Sequence, residues 1–233
     1  MPPMKAARYG CSAAEMNGLV YVVGGNDENY RGLRSVEVFD VALMNWRVDA
    51  PPMLGERSFS SAIVVQNRLH VLGGYDNHMK LLPHVESYDP KTQRWKTSCR
   101  KMLHPRWGCV AVPWMDRYVV VVGGQDGSKV VPAVDVLDVV QRSWHPLSSL
   151  TAPRRNCGMC IVDSTLYVAG GSKSGNQCVA TAECLELVRE ERDDDTSATG
   201  STQMTGKEGE RHLAKHIDFR FLLLQIFMID REA

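Results

Sequence analysis

Arginine recurs at a nearly fixed interval along this chain, at Arg8, Arg57, Arg106 and Arg154. A guanidinium group can hold a carboxylate through two parallel hydrogen bonds. If the units that carry these arginines repeat around an axis, the four side chains form a ring on one face, where they could bind an acidic partner segment. The alternative is structural, with each arginine paired to an acid of the next unit. The candidate acids are Glu37, Glu86, Asp135 and Glu183.

Polar loops form a second group of candidates for binding. They follow four pairs of adjacent glycines and cover residues 26–34, 75–83, 125–132 and 172–180. Loops of variable sequence on a rigid scaffold are where specificity tends to lie. Most of their side chains need no role beyond solvation. Those selected as candidate partner contacts are Asn26, Arg31, Tyr75, His78 and Gln125.

Catalytic and metal-binding patterns are weak in this sequence. Cys157 and Cys160 have the spacing of a redox or zinc motif, but they fall on a predicted strand, where residues three apart face opposite sides. No second cysteine or histidine pair follows at zinc spacing. Cys11, Cys109 and Cys157 each follow a repeat arginine by three residues, which favours small buried residues near the axis. We therefore assign no catalytic residue, metal or cofactor.

The elements that position these residues repeat about every 50 residues. The glycine pairs at 24–25, 73–74, 123–124 and 170–171 are separated by 49, 50 and 47 residues, and tryptophan keeps the same interval at Trp46, Trp95 and Trp144. Self-similarity at this period indicates a repeat architecture. Repeats of this kind mostly build binding surfaces.

Each unit has the pattern of four short antiparallel strands. A strand follows the repeat arginine, and a tight turn leads to a second strand that ends at the glycine pair. A third strand ends at an aspartate six residues before the tryptophan, at Asp40, Asp89 and Asp138, and the tryptophan lies on a short fourth strand. Four antiparallel strands repeated radially predict an all-β fold, a β-propeller.

With these features the chain resembles the kelch repeat family. The resemblance rests on the double glycines, on the aromatic residues Phe39 and Tyr88, and on the three repeated tryptophans, and it covers about residues 3–188. It implies a kelch-type β-propeller. In kelch substrate adaptors, arginines at the position of the four repeat arginines line a pocket for acidic peptide segments. The fold alone does not fix the function.

The pattern fails in the fourth unit, because residue 192 is arginine where tryptophan is expected. We expect a propeller region over 1–188, with units at about 3–50, 51–100, 101–149 and 150–188, the last without its outer strand. Residues 189–212 read as a disordered polar linker, and residues 213–233 as a short apolar tail segment. A closed four-blade ring, an open arc and a piece of a larger assembly all remain open, and we favour an incomplete propeller.

Composition limits the classes of partner. The chain has 27 basic and 27 acidic residues. This balance does not indicate nucleic acid as the main partner. The longest apolar stretch, residues 219–229, is shorter than the roughly 20 residues of a membrane span. Seven loosely spaced cysteines and no apolar leader predict a reducing, cytoplasmic location.

These observations favour a non-catalytic protein-interaction module with one face of the propeller as its binding surface. The resemblance implies substrate recognition for a cullin-type ubiquitin ligase or, as an alternative, binding to actin or the cytoskeleton. A propeller enzyme acting on a sugar or another small molecule is the rival class, and it would require clustered carboxylates or histidines at the axis.

Overall fold

The computed structural model describes residues 1–47, 50–189 and 204–207, without the side chains of residues 98, 99, 176, 188, 189 and 204–207. It contains four antiparallel sheets of four strands each, and in each sheet the strands lie side by side in chain order. The predicted all-β propeller of four-stranded blades is therefore confirmed. No helix in the described ranges is long and apolar enough to cross a membrane.

Each sheet is one blade, and the blades follow one another along the chain. Blade 1 consists of β1 (Ser12–Met16), β2 (Leu19–Val23), β3 (Val36–Asp40) and β4 (Asn45–Trp46). Blade 2 consists of β5 (Ser61–Val65), β6 (Arg68–Leu72), β7 (His84–Asp89) and β8 (Arg94–Lys101). Blade 3 consists of β9 (Val110–Trp114), β10 (Tyr118–Val122), β11 (Val134–Asp138) and β12 (Ser143–Pro146).

Blade 4 consists of β13 (Gly158–Val162), β14 (Thr165–Ala169), β15 (Ala182–Arg189) and β16 (Met204–Lys207), with a 3-10 turn at Ser174–Asn176. The expectation that this blade lacks its outer strand is wrong, since β16 pairs with β15 inside the segment expected to be a linker. Strand pairing uses only backbone groups, so an outer strand can form without the tryptophan that marks it elsewhere. The predicted tail, residues 213–233, lies outside the described residues.

The aspartate and tryptophan of each unit have separate local roles. Asp40 accepts the backbone N–H groups of Ala42 and Leu43, which shapes the turn between the third and fourth strands. Trp95 pairs with Tyr88 across β7 and β8, and its Nε1–H donates to the carbonyl of Pro51 at 2.7 Å. The indole thus fastens the segment that leads into its blade. This explains why aspartate and tryptophan recur at one spacing.

The core lies between consecutive blades. Three apolar clusters fill the junctions of blades 1 and 2, 2 and 3, and 3 and 4. The middle strands pack on both faces, and all five residues of β10 are buried. Burying a valine or leucine side chain contributes about 1.5–3 kcal/mol, so the junctions hold the blades together.

The junction between blades 4 and 1 has no apolar cluster among the described residues. The outward face of blade 4 shows the difference: Met16 on β1 is 2% exposed at the first junction, whereas Val162, at the same position of β13, is 45% exposed. The three apolar clusters therefore join blade 1 to blade 2, blade 2 to blade 3, and blade 3 to blade 4.

Candidate functional site

The four repeat arginines lie inside the blades. Arg57 donates from Nη1 to the carbonyl of Gly73 at 2.8 Å and from Nη2 to Oε1 of Glu86 at 3.1 Å. The same pairing joins each remaining arginine to the acid of its own unit. These pairs are Arg8 with Glu37, Arg106 with Asp135 and Arg154 with Glu183.

These contacts match the structural alternative, with one correction. The acid belongs to the same unit as the arginine, not to the next unit. In blade 1, for example, the third strand, which carries the acid, begins beside the glycine end of the second strand, where the arginine donates to the glycine carbonyl. The guanidinium groups are 0–2% exposed. Their terminal nitrogens therefore donate to acceptors of this chain, and the accessible binding groups must be sought around them.

The backbones of three repeat arginines, Arg57, Arg106 and Arg154, also join two blades. The carbonyl of Arg57 accepts the N–H of Gly25 at 2.9 Å, and the carbonyl of Arg106 accepts the N–H of Gly74 at 2.9 Å. A Cβ on Gly24 would lie only 2.2 Å from the Arg57 carbonyl oxygen. The glycine pair is thus required where the next blade approaches, and each of these three arginines links its own blade to the preceding one.

One end of the propeller carries a surface that we call the loop face. It consists of the residues that follow the repeat arginines and the glycine pairs, which meet in antiparallel bridges in every blade. The bridged pairs are Tyr9 with Asn26, Ser58 with Tyr75, Trp107 with Gln125, and Arg155 with Ser172. The fold thus places the residues that follow the repeat arginines at the same end as the sequence-predicted loops.

An aromatic belt crosses the loop face over blades 1 to 3, consisting of Tyr9, Tyr30, Phe59, Tyr75 and Trp107. Phe59 is its centre, with ring centroids 5.7 Å from Tyr75, 5.6 Å from Trp107 and 6.2 Å from Tyr9. Tyr9 and Tyr30 are exposed, and the other three are half-buried. The belt therefore offers apolar area to a partner without being sealed in the core.

The backbone of Phe59 is strained. Its φ is +53°, and the same position in the other units holds Gly10, Gly108 and Asn156, also with positive φ. Glycine and asparagine adopt this conformation readily, whereas for phenylalanine it costs roughly 1–3 kcal/mol. A Cβ on Gly10 would lie 2.8 Å from the Phe59 ring, so the glycine of blade 1 leaves room for it. Strain in a half-buried aromatic residue points to a functional surface.

A cation borders the belt at blade 4. The guanidinium carbon of Arg155 lies 4.7 Å from the centroid of the Trp107 ring, within cation–π distance. Its Nη1 donates to Oε1 of Gln125 at 2.8 Å. Arg155 thus ties the loop of blade 3 to blade 4 and extends the belt with a positive charge.

The structure separates the five candidate residues of the loops. Tyr75 lies in the belt, where burial raises the pKa of its phenol, and Gln125 holds Arg155. Asn26 is buried and accepts a hydrogen bond from the hydroxyl of Ser58, so it supports the face from below. Arg31 and His78 are exposed on the loops of blades 1 and 2. Tyr75, Gln125 and Asn26 are thus brought together, whereas Arg31 and His78 lie at the rim of the loop face.

Sequence reasoning missed Tyr9, Tyr30, Phe59, Trp107 and Arg155. Three of them occupy the place directly after a repeat arginine and Phe59 stands one place later, so register with the arginines could have found those four. The signal is that residue type varies at these two positions, although the arginine before them is the same in all four units. Tyr30 has no such signal.

Of the three cysteines that follow the repeat arginines by three places, two are buried and Cys11 is half-buried. Cys109 and Cys157 are buried, as expected for the residues three places after the arginines, and burial raises the pKa of Cys157 to about 11. Cys160 is half-buried on β13, opposite Tyr167. In the described part of the chain, no three residues among His, Cys, Asp and Glu are grouped so as to hold a metal ion.

Comparison with known proteins agrees with this architecture. A family model described as the KLHDC2/KLHL20/DRC7 Kelch-repeats domain matches residues 10–193. No curated protein matches the chain significantly. Since the matched range covers most of the sequence and contains all four glycine pairs, the chain belongs to the KLHDC2/KLHL20/DRC7 Kelch-repeat family.

Proposed function

We propose that this protein is a non-catalytic interaction module and that its loop face binds an extended segment of a partner protein. Kelch-repeat propellers are typically interaction modules, and family membership supports that part of the proposal. The observation that carries the choice of face is the strained, half-buried Phe59 at the centre of the aromatic belt.

The composition of the belt suits a binding surface. Tyrosine, tryptophan and arginine are enriched among the residues that contribute most of the binding free energy at protein interfaces. They contribute most where neighbouring side chains pack around them. Trp107 meets this description, because it contacts Phe59, Tyr75 and the guanidinium of Arg155. Pre-organised rings lose little conformational entropy on binding, so the belt can supply the central contacts.

The rim of the loop face favours an acidic partner. Asp27 accepts the backbone N–H groups of Asn29 and Arg31 at 2.9 and 2.8 Å, and Asp76 holds the next loop in the same way through His78 and Lys80. These aspartate oxygens are therefore used to shape the loops. The exposed side chains beside them are mostly basic or neutral, with Glu28 as the acidic exception, and include Arg31, His78, Lys80 and Lys129.

The repeat arginines have a supporting part in this proposal. They fix the glycine carbonyls and the inner acids directly beneath the loop face. The partner contacts then come from the belt and from Arg31, His78 and Arg155. Substrate recognition for a cullin-type ubiquitin ligase is the more specific proposal. It is supported by membership of a family model that includes KLHDC2 and KLHL20, and it places a substrate segment on the same face.

Selection of peptides from a displayed random library against the 233-residue chain tests the proposal. We expect enrichment of peptides that combine apolar and acidic residues. Trp107→Ala should weaken a selected peptide by about 2 kcal/mol or more, which is roughly 30-fold. Met44→Ala, exposed in the turn after β3, is the matched control and should bind normally. Equal affinity of Trp107→Ala and wild type would contradict the proposal.

A further inference from the structure

The junction between blades 2 and 3 differs from the other two in its side chains. His70 and Ser87 lie opposite each other on β6 and β7, on the face towards blade 3. The same two positions hold Tyr21 and Val38 in blade 1, and Val120 and Val136 in blade 3. All four of those residues belong to apolar clusters. Polar groups therefore replace core residues at this junction alone among the three.

The facing side of blade 3 also has less volume. Leu137 occupies the position that Tyr88 has in blade 2, where the tyrosine packs 5.9 Å from Tyr21. Leu137 on blade 3 is smaller than the tyrosine, and Ser87 on blade 2 is smaller than the valines at its position in blades 1 and 3. Together they leave space between the two blades. The result is a cleft of about 450 Å³.

The lining of the cleft divides into a positive rim and an apolar wall. Arg68, Lys96 and Arg142 line the rim, and Arg68 also contacts Asp89 at 2.8 Å. Leu137 and Val139 belong to the wall, and no carboxylate lines the cleft among the described residues.

His70 marks the polar floor of the cleft. Its Nδ1 lies 2.8 Å from Oγ of Ser87, and its Nε2 is buried without a hydrogen-bond partner. The side chain is 7% exposed. A buried polar atom without a partner is unfavourable, and His70 and Ser87 are polar residues in the lining of the cleft.

We propose that this cleft binds a small organic anion, with its charged group among Lys96, Arg68 and the His70–Ser87 pair and its apolar body against Leu137 and Val139. The volume lies within the range of small-molecule sites, about 300–1,000 Å³. A cationic rim over an apolar wall matches a ligand with one charged end. The site is separate from the loop face, and it requires no partner protein.

Phenyl phosphate is the probe, and benzyl alcohol, which has the ring without the charge, is its control. Binding is measured by calorimetry and by amide shifts in NMR spectra of the full chain. We expect phenyl phosphate to bind and to shift residues of β7, β8 and β11, and benzyl alcohol to bind at least about tenfold more weakly. Absence of binding by phenyl phosphate at millimolar concentration overturns the proposal.

Three variants locate the binding. Leu137→Tyr copies blade 2 and fills the cleft without changing any charge, so it should abolish binding, with a thermal melt to verify folding. Lys96→Glu should weaken binding about tenfold or more, whereas Lys91→Glu, an exposed lysine outside the lining, should leave it unchanged. Equal weakening by the two lysine variants would identify a non-specific charge effect and overturn the proposal, as would unchanged binding to a folded Leu137→Tyr variant.

Discussion

Arg57 and Glu86 form an ion pair inside blade 2, with Nη2 and Oε1 3.1 Å apart and side chains that are 2% and 6% exposed. The arginine donates in addition to the carbonyls of Gly73 and His84. The acid accepts the backbone N–H of Leu54 at 2.7 Å. Both charged groups are thus paired within this chain, and the pair holds the segment that precedes β5 against the blade.

Removing one partner of this pair should destabilise the fold. Arg57→Ala leaves Glu86 buried without its counter-charge, and we expect a loss of about 3–5 kcal/mol in the free energy of unfolding, measured with denaturant. Arg68→Ala is the control, since its pair with Asp89 is 45% exposed on the arginine side and should contribute about 1 kcal/mol or less. Equal losses in both variants would contradict the structural role of Arg57.

The glycine pairs allow the contact between blades to be separated from backbone strain. Gly123 and Gly170 have φ values of +62° and +66°, but a Cβ on Gly123 would lie 2.1 Å from the carbonyl oxygen of Arg154, whereas a Cβ on Gly170 has nothing closer than 3.9 Å. Gly170→Ala should therefore cost about 1 kcal/mol from the left-handed backbone. Gly123→Ala should cost clearly more, because two blades must move apart. Indistinguishable unfolding midpoints would show that the contact between blades does not require glycine.

His70 should make stability depend on pH. Burial lowers the pKa of His70 to about 4, against about 6.5 in an unfolded chain. Between these values the unfolded state binds more protons, so stability falls as the pH falls from about 6.5 towards 4 and is constant above that range. His70→Val, which copies Val120 of blade 3, removes this dependence. From pH 7 to pH 5 the wild type should lose about 2 kcal/mol more than the variant, and parallel losses would contradict burial of a neutral imidazole.

Phe59 should show opposite effects on stability and on binding. Phe59→Gly relieves the left-handed strain but removes the contacts with Tyr75 and Trp107. We expect the two terms to offset each other, so that the free energy of unfolding changes by about 1 kcal/mol or less, while affinity for a selected peptide falls at least tenfold. Denaturation and calorimetry on the same preparation measure both. Unchanged peptide affinity of the Phe59→Gly variant would contradict a role of this strained residue in binding.

The repeat pattern predicted the fold because glycine, aspartate and tryptophan each satisfy a local requirement. Gly24 is needed where the Arg57 carbonyl approaches, and Asp40 and Trp95 fix backbone groups of their own unit. The outer strand of blade 4 was missed since Met204–Lys207 pairs through its backbone and lacks the side-chain mark of the other units.

The environment of the repeat arginines was predicted less well than the fold. Repetition of the arginines correctly indicated a shared environment, but spacing alone does not distinguish a buried pair from an exposed ring. The depth of Arg57 depends on Glu86 two strands away in the sheet, and the belt depends on Phe59 meeting Trp107 of the next blade. Such contacts arise from packing between units.

Hydrogen exchange of the chain with and without a selected peptide tests the central claim, that the loop face is the binding surface. The account predicts slower exchange at residues 26–33, 57–59, 75–82 and 106–108 when the peptide is bound. The turns at the opposite end of the blades, residues 17–18, 41–44 and 90–93, should be unchanged. Protection confined to those opposite turns, with the loop face unaffected, would contradict the account.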